Sequence, residues 1–170
     1  VMNIIKSDLK SLEINHDVFI SEKTLLEEGH VNKAYKHLED KKLLYKGNTN
    51  PPKGSKKDEW SEKQHILFKS KNFGDDEDRV VKKYDGQWTY FMPDIAYHLN
   101  KYERGFIRMI NIFGADHSGY IARMKAAVKA VTNEEANLEI KTCQLVRLSR
   151  GGRPVKMSKR AGSFITLKEI

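Results

Sequence analysis

From Pro93 to Leu148 the sequence alternates helical with extended patterning. Pro93 suits the start of a helix, where its missing N–H costs nothing. Ile95, Leu99 and Tyr102 follow on one face, and Gly105 ends the segment. Met109-Ile110-Asn111-Ile112-Phe113 is a short, mostly apolar run of the kind a buried parallel strand carries. Ile121, Met124, Val128 and Val131 mark a second helix, and Leu138 to Leu148 a second strand with Cys143 and Leu145 on one face. Helix, strand, helix, strand predicts a βαβ unit and a parallel sheet, hence an α/β fold. Open parallel sheets bind ligands beyond the carboxyl ends of their strands. The segments Gly114–His117 and Gly151–Lys159 both follow predicted strands, so both are expected at one rim.

The second of these segments is unusual in composition. Gly151-Gly152-Arg153-Pro154-Val155-Lys156-Met157-Ser158-Lys159-Arg160-Ala161-Gly162 has glycines at both ends and cations or hydroxyls between them. Glycine lets backbone turn sharply and approach a ligand closely. Lys156 and Lys159 are spaced to reach one triphosphate from two sides. The first segment, Gly114-Ala115-Asp116-His117, offers close backbone approach to a nucleotide and a carboxylate for ribose hydroxyls, or merely a helix cap. Tyr90 and Asp94, four apart at a helix entrance, can face one cavity, where a carboxylate pairs well with a guanidinium. Capping is again the alternative, since acids favour the first helical turn.

Upstream, Val1 to Ile14 reads as a helix with Ile5, Leu9 and Leu12 on one face. Val18-Phe19-Ile20 reads as a short strand, and Ser21 to Glu28 as a turn or helical turn. Val31, Ala34, Tyr35 and Leu38 define an amphipathic helix after Gly29. His30 and His37 lie on it without a third metal ligand nearby and are read as structural. A strand at Leu43-Leu44-Tyr45 follows, then a polar, Pro- and Gly-containing loop from Asn48 to Lys57. His65–Ser70 and Arg79–Tyr84 read as strands, with Asp85-Gly86 predicting a hairpin turn of the mirror-image type. The acidic run Gly74-Asp75-Asp76-Glu77-Asp78 lacks calcium-loop spacing. It reads as a turn in which Asp78 and Arg79 help fix the following strand.

Bulk properties narrow the classes. The single cysteine, Cys143, excludes an internal disulfide and argues against a cysteine-based metal site. No stretch approaches the ~18 apolar residues of a membrane helix. A cytoplasmic setting is expected. The net charge is +8, and residues 139–170 carry eight Lys or Arg against two acids, so the basic character belongs to the end that holds the Gly151–Gly162 segment. Phosphate or nucleic acid is the partner this suggests. Neither a Gly-x-Ser-x-Gly elbow nor a Walker loop is present.

Four blocks together resemble bacterial arginyl-tRNA synthetases of class I. They are Asp75-Asp76 with Asp78-Arg79; Thr89-Tyr90-Phe91 with Asp94-Ile95-Ala96-Tyr97-His98; Gly114-Ala115-Asp116-His117 with Gly119-Tyr120; and Val155 to Gly162 around Lys156-Met157-Ser158-Lys159. The resemblance implies an α/β chain: the second half of the class I nucleotide-binding, Rossmann-like parallel sheet with a small antiparallel β insertion. Residues 1–55 would be a helix and strand part of the insertion, 56–90 the small sheet, and 91–170 the half-fold with the Lys-Met-Ser-Lys loop. It implies arginine, ATP with Mg²⁺ and tRNA(Arg) as partners, no zinc, no membrane, and a monomer. By similarity Tyr90, Asp94 and His117 contact arginine; Gly114, Asp116, His117, Met157 and Ser158 contact ATP; Lys156 and Lys159 are catalytic. The family's His-x-Gly-His motif is missing, so an internal segment, inactive by itself, is expected. Competing readings are a class I synthetase for another amino acid and a noncatalytic RNA-binding module.

Overall fold

The computed structural model describes residues 1–49, 63–155 and 165. It forms two compact units. The larger is Ile20–Gln144; the smaller combines Val1–Phe19 with the described residues from Leu145 onward.

The larger unit is mixed α/β. Helices α2 (Glu22–Glu27) and α3 (His30–Asp40) lead into strand β1 (Leu44–Gly47). Strands β2 (His65–Phe68) and β3 (Arg79–Lys82) complete an antiparallel sheet in the order β1-β2-β3. Helix α4 (Phe91–Glu103), strand β4 (Arg108–Gly114), helix α5 (Ile121–Val131) and strand β5 (Asn137–Cys143) follow. β4 and β5 pair in parallel, from Arg108 opposite Asn137 to Gly114 opposite Cys143. The expected βαβ unit is therefore present.

One apolar core joins these elements. Val31, Ala34 and Leu38 of α3 meet Ile95, Ala96 and Leu99 of α4, with Met124, Val128 and Val131 of α5 behind them. Ile95 and Met124 are wholly buried, and truncating either to Ala costs ~2–5 kcal/mol. α4 starts at Phe91, two residues before Pro93, which the first turn tolerates. It ends in a paired-bond motif, Gly105 N–H to Tyr102 O at 2.8 Å and Phe106 N–H to Lys101 O at 3.2 Å. Gly105 takes φ +90°, the left-handed conformation that closing step requires.

Polar contacts tie α3 to α5. The last carbonyls of a helix have no intrahelical partner. Here His37 Nε2–H donates to Val131 O at 3.0 Å, and Lys41 Nζ to Ala130 O at 2.7 Å. Burial, followed by nearby Lys41, lowers the His37 pKa. His37 is thus a structural donor, as its sequence context implied.

Several expectations change in the folded chain. Val18–Ile20 is not a strand: it is exposed, and β-branched residues form a strand only against a partner. β2 stops at Phe68, and Ser70–Phe73 is a 3₁₀ turn whose Ser70 Oγ donates to Glu77 O at 2.7 Å. The hairpin after β3 is a three-residue loop. Gly86 N–H donates to Lys83 O and Lys83 N–H to Gln87 O, and Gly86 but not Asp85 has positive φ. That is a type I turn closed by a glycine bulge rather than a mirror-image turn. β5 ends at Cys143, opposite the last residue of β4, so the strand is only as long as its partner. The loop from Asn48 to Lys57 lies largely outside the described residues.

The acidic run is a clamp on one arginine. Asp75, whose side chain is fully buried, accepts from Arg79 Nε and Nη2, each at 2.8 Å, and Asp76 and Glu77 also pair with Arg79. Asp78 instead accepts from Tyr45 Oη at 2.9 Å and from Lys71 N–H at 3.1 Å. The pairing therefore skips the adjacent Asp78 for a carboxylate four residues back, which presents both oxygens to the guanidinium fork.

In the smaller unit, α1 (Met2–Ser11) forms as expected, but Ile5 and Leu12 stay exposed among the described residues. β6 (Ser149–Arg150) and β7 (Arg153–Pro154) make a hairpin around Gly151-Gly152, with φ +56° and +73°. Two consecutive positive φ values suit glycine and give the mirror-image turn at this site.

The clamp yields a pH prediction. Burial raises the Asp75 pKa, but hydrogen bonds from Arg79 and Asp76 outweigh it and hold the carboxyl at about 2. The folded pKa lies below the unfolded one, so the stabilisation is complete above roughly pH 4 and is lost as pH falls towards 2. Asp75→Asn should cost about 3 kcal/mol at neutral pH, because Arg79 loses its buried bidentate counter-charge and keeps only the exposed Asp76 and Glu77. In urea unfolding the deficit should shrink steadily below pH 4; a deficit independent of pH would contradict the assignment.

Candidate active site

The first turn of α4 and the outer end of β4 enclose a cleft of ≈ 660 Å³. Its walls are aromatic: Tyr90, Tyr97, Phe113 and Tyr120, with Met124 below. Asp94 is the carboxylate of this cleft. It sits in the first turn of α4 without capping that turn; Tyr120 Oη donates to its Oδ2 at 2.6 Å. Burial raises the Asp94 pKa, while the Tyr120 hydrogen bond and the charge of Lys101 oppose the rise. Tyr120 is raised in turn by burial and by its contact with Asp94, so it stays a donor at every ordinary pH.

One turn and two turns further along α4 lie His98 and Lys101, on the same face. His98 Nδ1 donates to Asp94 O at 2.7 Å, and Asn111 of β4 donates to His98 Nε2 at 2.8 Å. The Asn111 Oδ1 accepts from Lys101 Nζ at 3.2 Å. Lys101 also lies 4.3 Å from the Tyr97 ring centre. Burial and, secondarily, Lys101 lower the His98 pKa to about 4, so the imidazole is neutral.

A smaller cleft of ≈ 200 Å³ adjoins the first and shares Tyr90, Asp94 and Tyr97. Its far wall carries Leu25 and Glu22 of α2, which adds a second carboxylate. A half-buried carboxylate between flat aromatic walls suits a planar, permanently charged, weakly hydrated cation. Guanidinium meets all three conditions and can take two oxygens at once. A carboxylate accepts about four hydrogen bonds, of which Tyr120 uses one.

No family model matches the chain. Individual proteins do. The arginine–tRNA ligase of Parvibaculum lavamentivorans is 54% identical over 170 residues, all of this chain and 29% of that protein. That of Rhodospirillum rubrum is 53% identical over the same spans. A crystal structure of a Campylobacter jejuni protein assigned as an arginyl-tRNA synthetase superposes with a TM-score of 0.76 at 36% identity. It covers 98% of this chain and 33% of that one. The chain is homologous to a segment of arginine–tRNA ligases. It spans about 29% of the length of the curated relatives it matches.

Of the residues the sequence nominates in arginine–tRNA ligase terms, Tyr90, Asp94 and His117 line one cleft. Tyr90 stands at its mouth, 88% exposed. His117 lies on the 3₁₀ segment Ala115–Tyr120, exposed and 3.7 Å from Asp116. Gly114 and Asp116 sit at the strand end just outside the lining. A Cβ on Gly114 would lie 2.4 Å from Asp116 Oδ1, so the glycine leaves room for this carboxylate to fold back against the strand. The Asp116 side chain caps no helix. Lys156, Met157, Ser158 and Lys159 lie outside the described residues.

Glu22, His98, Lys101, Asn111 and Tyr120 escaped the sequence reading as site residues. One signal was available for two of them: Asp94, His98 and Lys101 recur at i, i+4 and i+7, a polar stripe along a helix whose other face is apolar. Asn111 and Tyr120 join from other elements, and no local pattern marks them.

Tyr120→Phe removes a hydrogen bond made to the charged form of Asp94. The Asp94 pKa should therefore rise further above its ordinary value. Carboxyl ¹³C NMR titration reads this directly; an unchanged or lower pKa would show that the hydroxyl does not act on this carboxylate.

Proposed function

We propose that this chain is the part of an arginine–tRNA ligase that holds the arginine side chain and part of the ATP site. The observation that carries the reading is the half-buried Asp94 carboxylate, hydrogen-bonded to Tyr120 in an aromatic cleft, within a chain 54% identical to such a ligase. The arginine guanidinium docks on Asp94, with Glu22 as a second carboxylate beside it and Tyr90 closing over its face. His117 lies where it can meet both arginine and nucleotide. Gly114 and Asp116 receive the ATP ribose, and Met157 and Ser158 lie along the nucleotide.

The reaction is in-line displacement. An arginine carboxylate oxygen attacks the α-phosphorus of ATP, and the bond from that phosphorus to the bridging oxygen of pyrophosphate breaks. Arginyl-adenylate and pyrophosphate result; the terminal adenosine of tRNA(Arg) then takes the arginyl group and releases AMP. The protein positions the reactants and neutralises charge, with Lys159 and Lys156 as the cations on the triphosphate. Mg²⁺ enters with ATP as part of the substrate, and zinc has no role.

In this reading residues 91–170 are the second half of a class I nucleotide-binding sheet, preceded by insertion segments 1–55 and 56–90. β4 and β5 are then two strands of a wider sheet. Ile110 and Ile112, 53% and 71% exposed on β4, are the observation favouring this, since strands of parallel sheets are normally covered on both faces. The proposal extends to a cytoplasmic monomer. Among the described residues no helix is long and apolar enough to cross a membrane.

The test is arginine-dependent ATP–pyrophosphate exchange by a full-length ligase carrying this segment. Asp94→Asn should raise the KM for arginine by on the order of 10²-fold, the cost of leaving a guanidinium without its anion. Lys159→Ala should lower kcat by on the order of 10²–10³ with arginine binding little altered. Exchange stimulated equally by other amino acids would replace this reading with that of a different synthetase, and absence of exchange would leave no support for it.

A further inference from the structure

A strand-to-helix relay forms part of the cleft wall, where Asn111, His98 and Lys101 all line it. Asn111, in the middle of β4, reaches α4 twice. Its amide N–H donates to His98 Nε2 at 2.8 Å, and its amide oxygen accepts from Lys101 Nζ at 3.2 Å. His98 passes the constraint on, since its Nδ1 donates to the backbone carbonyl of Asp94 at 2.7 Å. That carbonyl belongs to the turn that carries the cleft carboxylate, and Tyr120 fixes the other end of the same residue at 2.6 Å.

The chemistry of the groups sets the direction of every bond. An ammonium has donors only, so Lys101 must face the amide oxygen of Asn111. This leaves the Asn111 NH₂ towards His98, which therefore accepts at Nε2 and carries its one proton on Nδ1. Only the neutral Nδ1–H tautomer satisfies both neighbours, and the depressed His98 pKa agrees with a neutral ring. A leucine at 111 would leave both His98 Nε2 and Lys101 without these partners. α4 would then be held at this level by apolar packing alone.

We propose that Asn111 is a positioning residue for the arginine subsite, acting through His98 and Lys101 to fix where the first turn of α4 holds Asp94. This rests on the reading that the cleft takes the arginine side chain. Asn111 is unlike the core residues around it: Met109, two residues earlier on the same face, can be supplied by any apolar side chain of similar volume. Position 111 needs one donor and one acceptor in a set geometry, and their purpose lies in the carboxylate one turn away.

The experiment uses a full-length ligase carrying this segment. Asn111→Leu should raise the KM for arginine about tenfold, with kcat and the KM for ATP much less affected. Asn111→Asp still accepts from Lys101, and it holds His98 as an imidazolium that donates from both nitrogens. It should recover most of the arginine affinity. An unchanged arginine KM in Asn111→Leu, equal losses in kcat and both KM values, or an Asp variant no better than the Leu variant would each overturn the proposal. Should the Leu variant not fold, ¹⁵N NMR of the wild-type His98 ring decides: a neutral ring protonated on Nδ1 at pH 7 supports the relay, and a charged or Nε2-protonated ring overturns it. If the wild-type enzyme shows no arginine-dependent exchange, the functional reading falls first, and the tautomer result still tells whether the relay exists.

Discussion

Helix α4 faces two different environments, and the larger unit is built on that division. Phe91, Met92, Ile95, Ala96 and Leu99 are buried in the core with α3 and α5. Asp94, Tyr97, His98 and Lys101 line the cleft. An α-helix places residues three and four apart on the same face, so a 13-residue helix can carry both stripes at once. The apolar stripe fixes the helix axis by packing. The polar stripe cannot be placed by packing alone, because burying a charged group without partners costs several kcal/mol. Asp94, His98 and Lys101 therefore each have a partner from another element, Tyr120 for the first and Asn111 for the other two.

The electrostatics of the cleft follow from this. Burial pushes the Asp94 pKa up, the His98 pKa down and the Lys101 pKa down. All three shifts disfavour charge, and all three are countered by specific hydrogen bonds or by the Asp94–Lys101 attraction. In the proposed reading, a guanidinium entering the cleft completes the set. It supplies the counter-charge that Asp94 otherwise gets from Lys101 in part, and it remains ionised where an ammonium would be pushed towards neutrality. The Asp75–Arg79 clamp applies the same physics to structure: a buried carboxylate is kept ionised by a bidentate guanidinium held within its own chain.

Local periodicity made much of the fold legible. The stripes Val31-Ala34-Leu38 and Met124-Val128-Val131 recur as core faces, and the apolar run from Met109 is a parallel strand as the alternation of elements requires. What the sequence hid was chosen by partners distant along the chain. Val18–Ile20 has strand-forming residues but no paired strand, and β5 stops where β4 stops. Arg79 selects Asp75 over its neighbour Asp78 because Asp78 is already held by Tyr45 and Lys71. The site shows the same limit. Asp94 was readable from its helix position, whereas Tyr120 and Asn111 reach α4 only through the fold. The Lys156–Lys159 residues, the most informative string in the sequence, fall outside the described residues.

The proposed site depends on a charge-for-charge match between Asp94 and a guanidinium. Calorimetric titration of a full-length ligase carrying this segment with arginine and with citrulline tests it most directly, because citrulline has a neutral carbonyl oxygen in place of one NH₂ of the charged guanidinium. Arginine should bind on the order of 10²-fold more tightly, the difference between a charge-assisted pair and a neutral contact that leaves the half-buried carboxylate unbalanced. Equal affinities would mean that the Asp94 cleft does not read the guanidinium, and the central claim would be wrong.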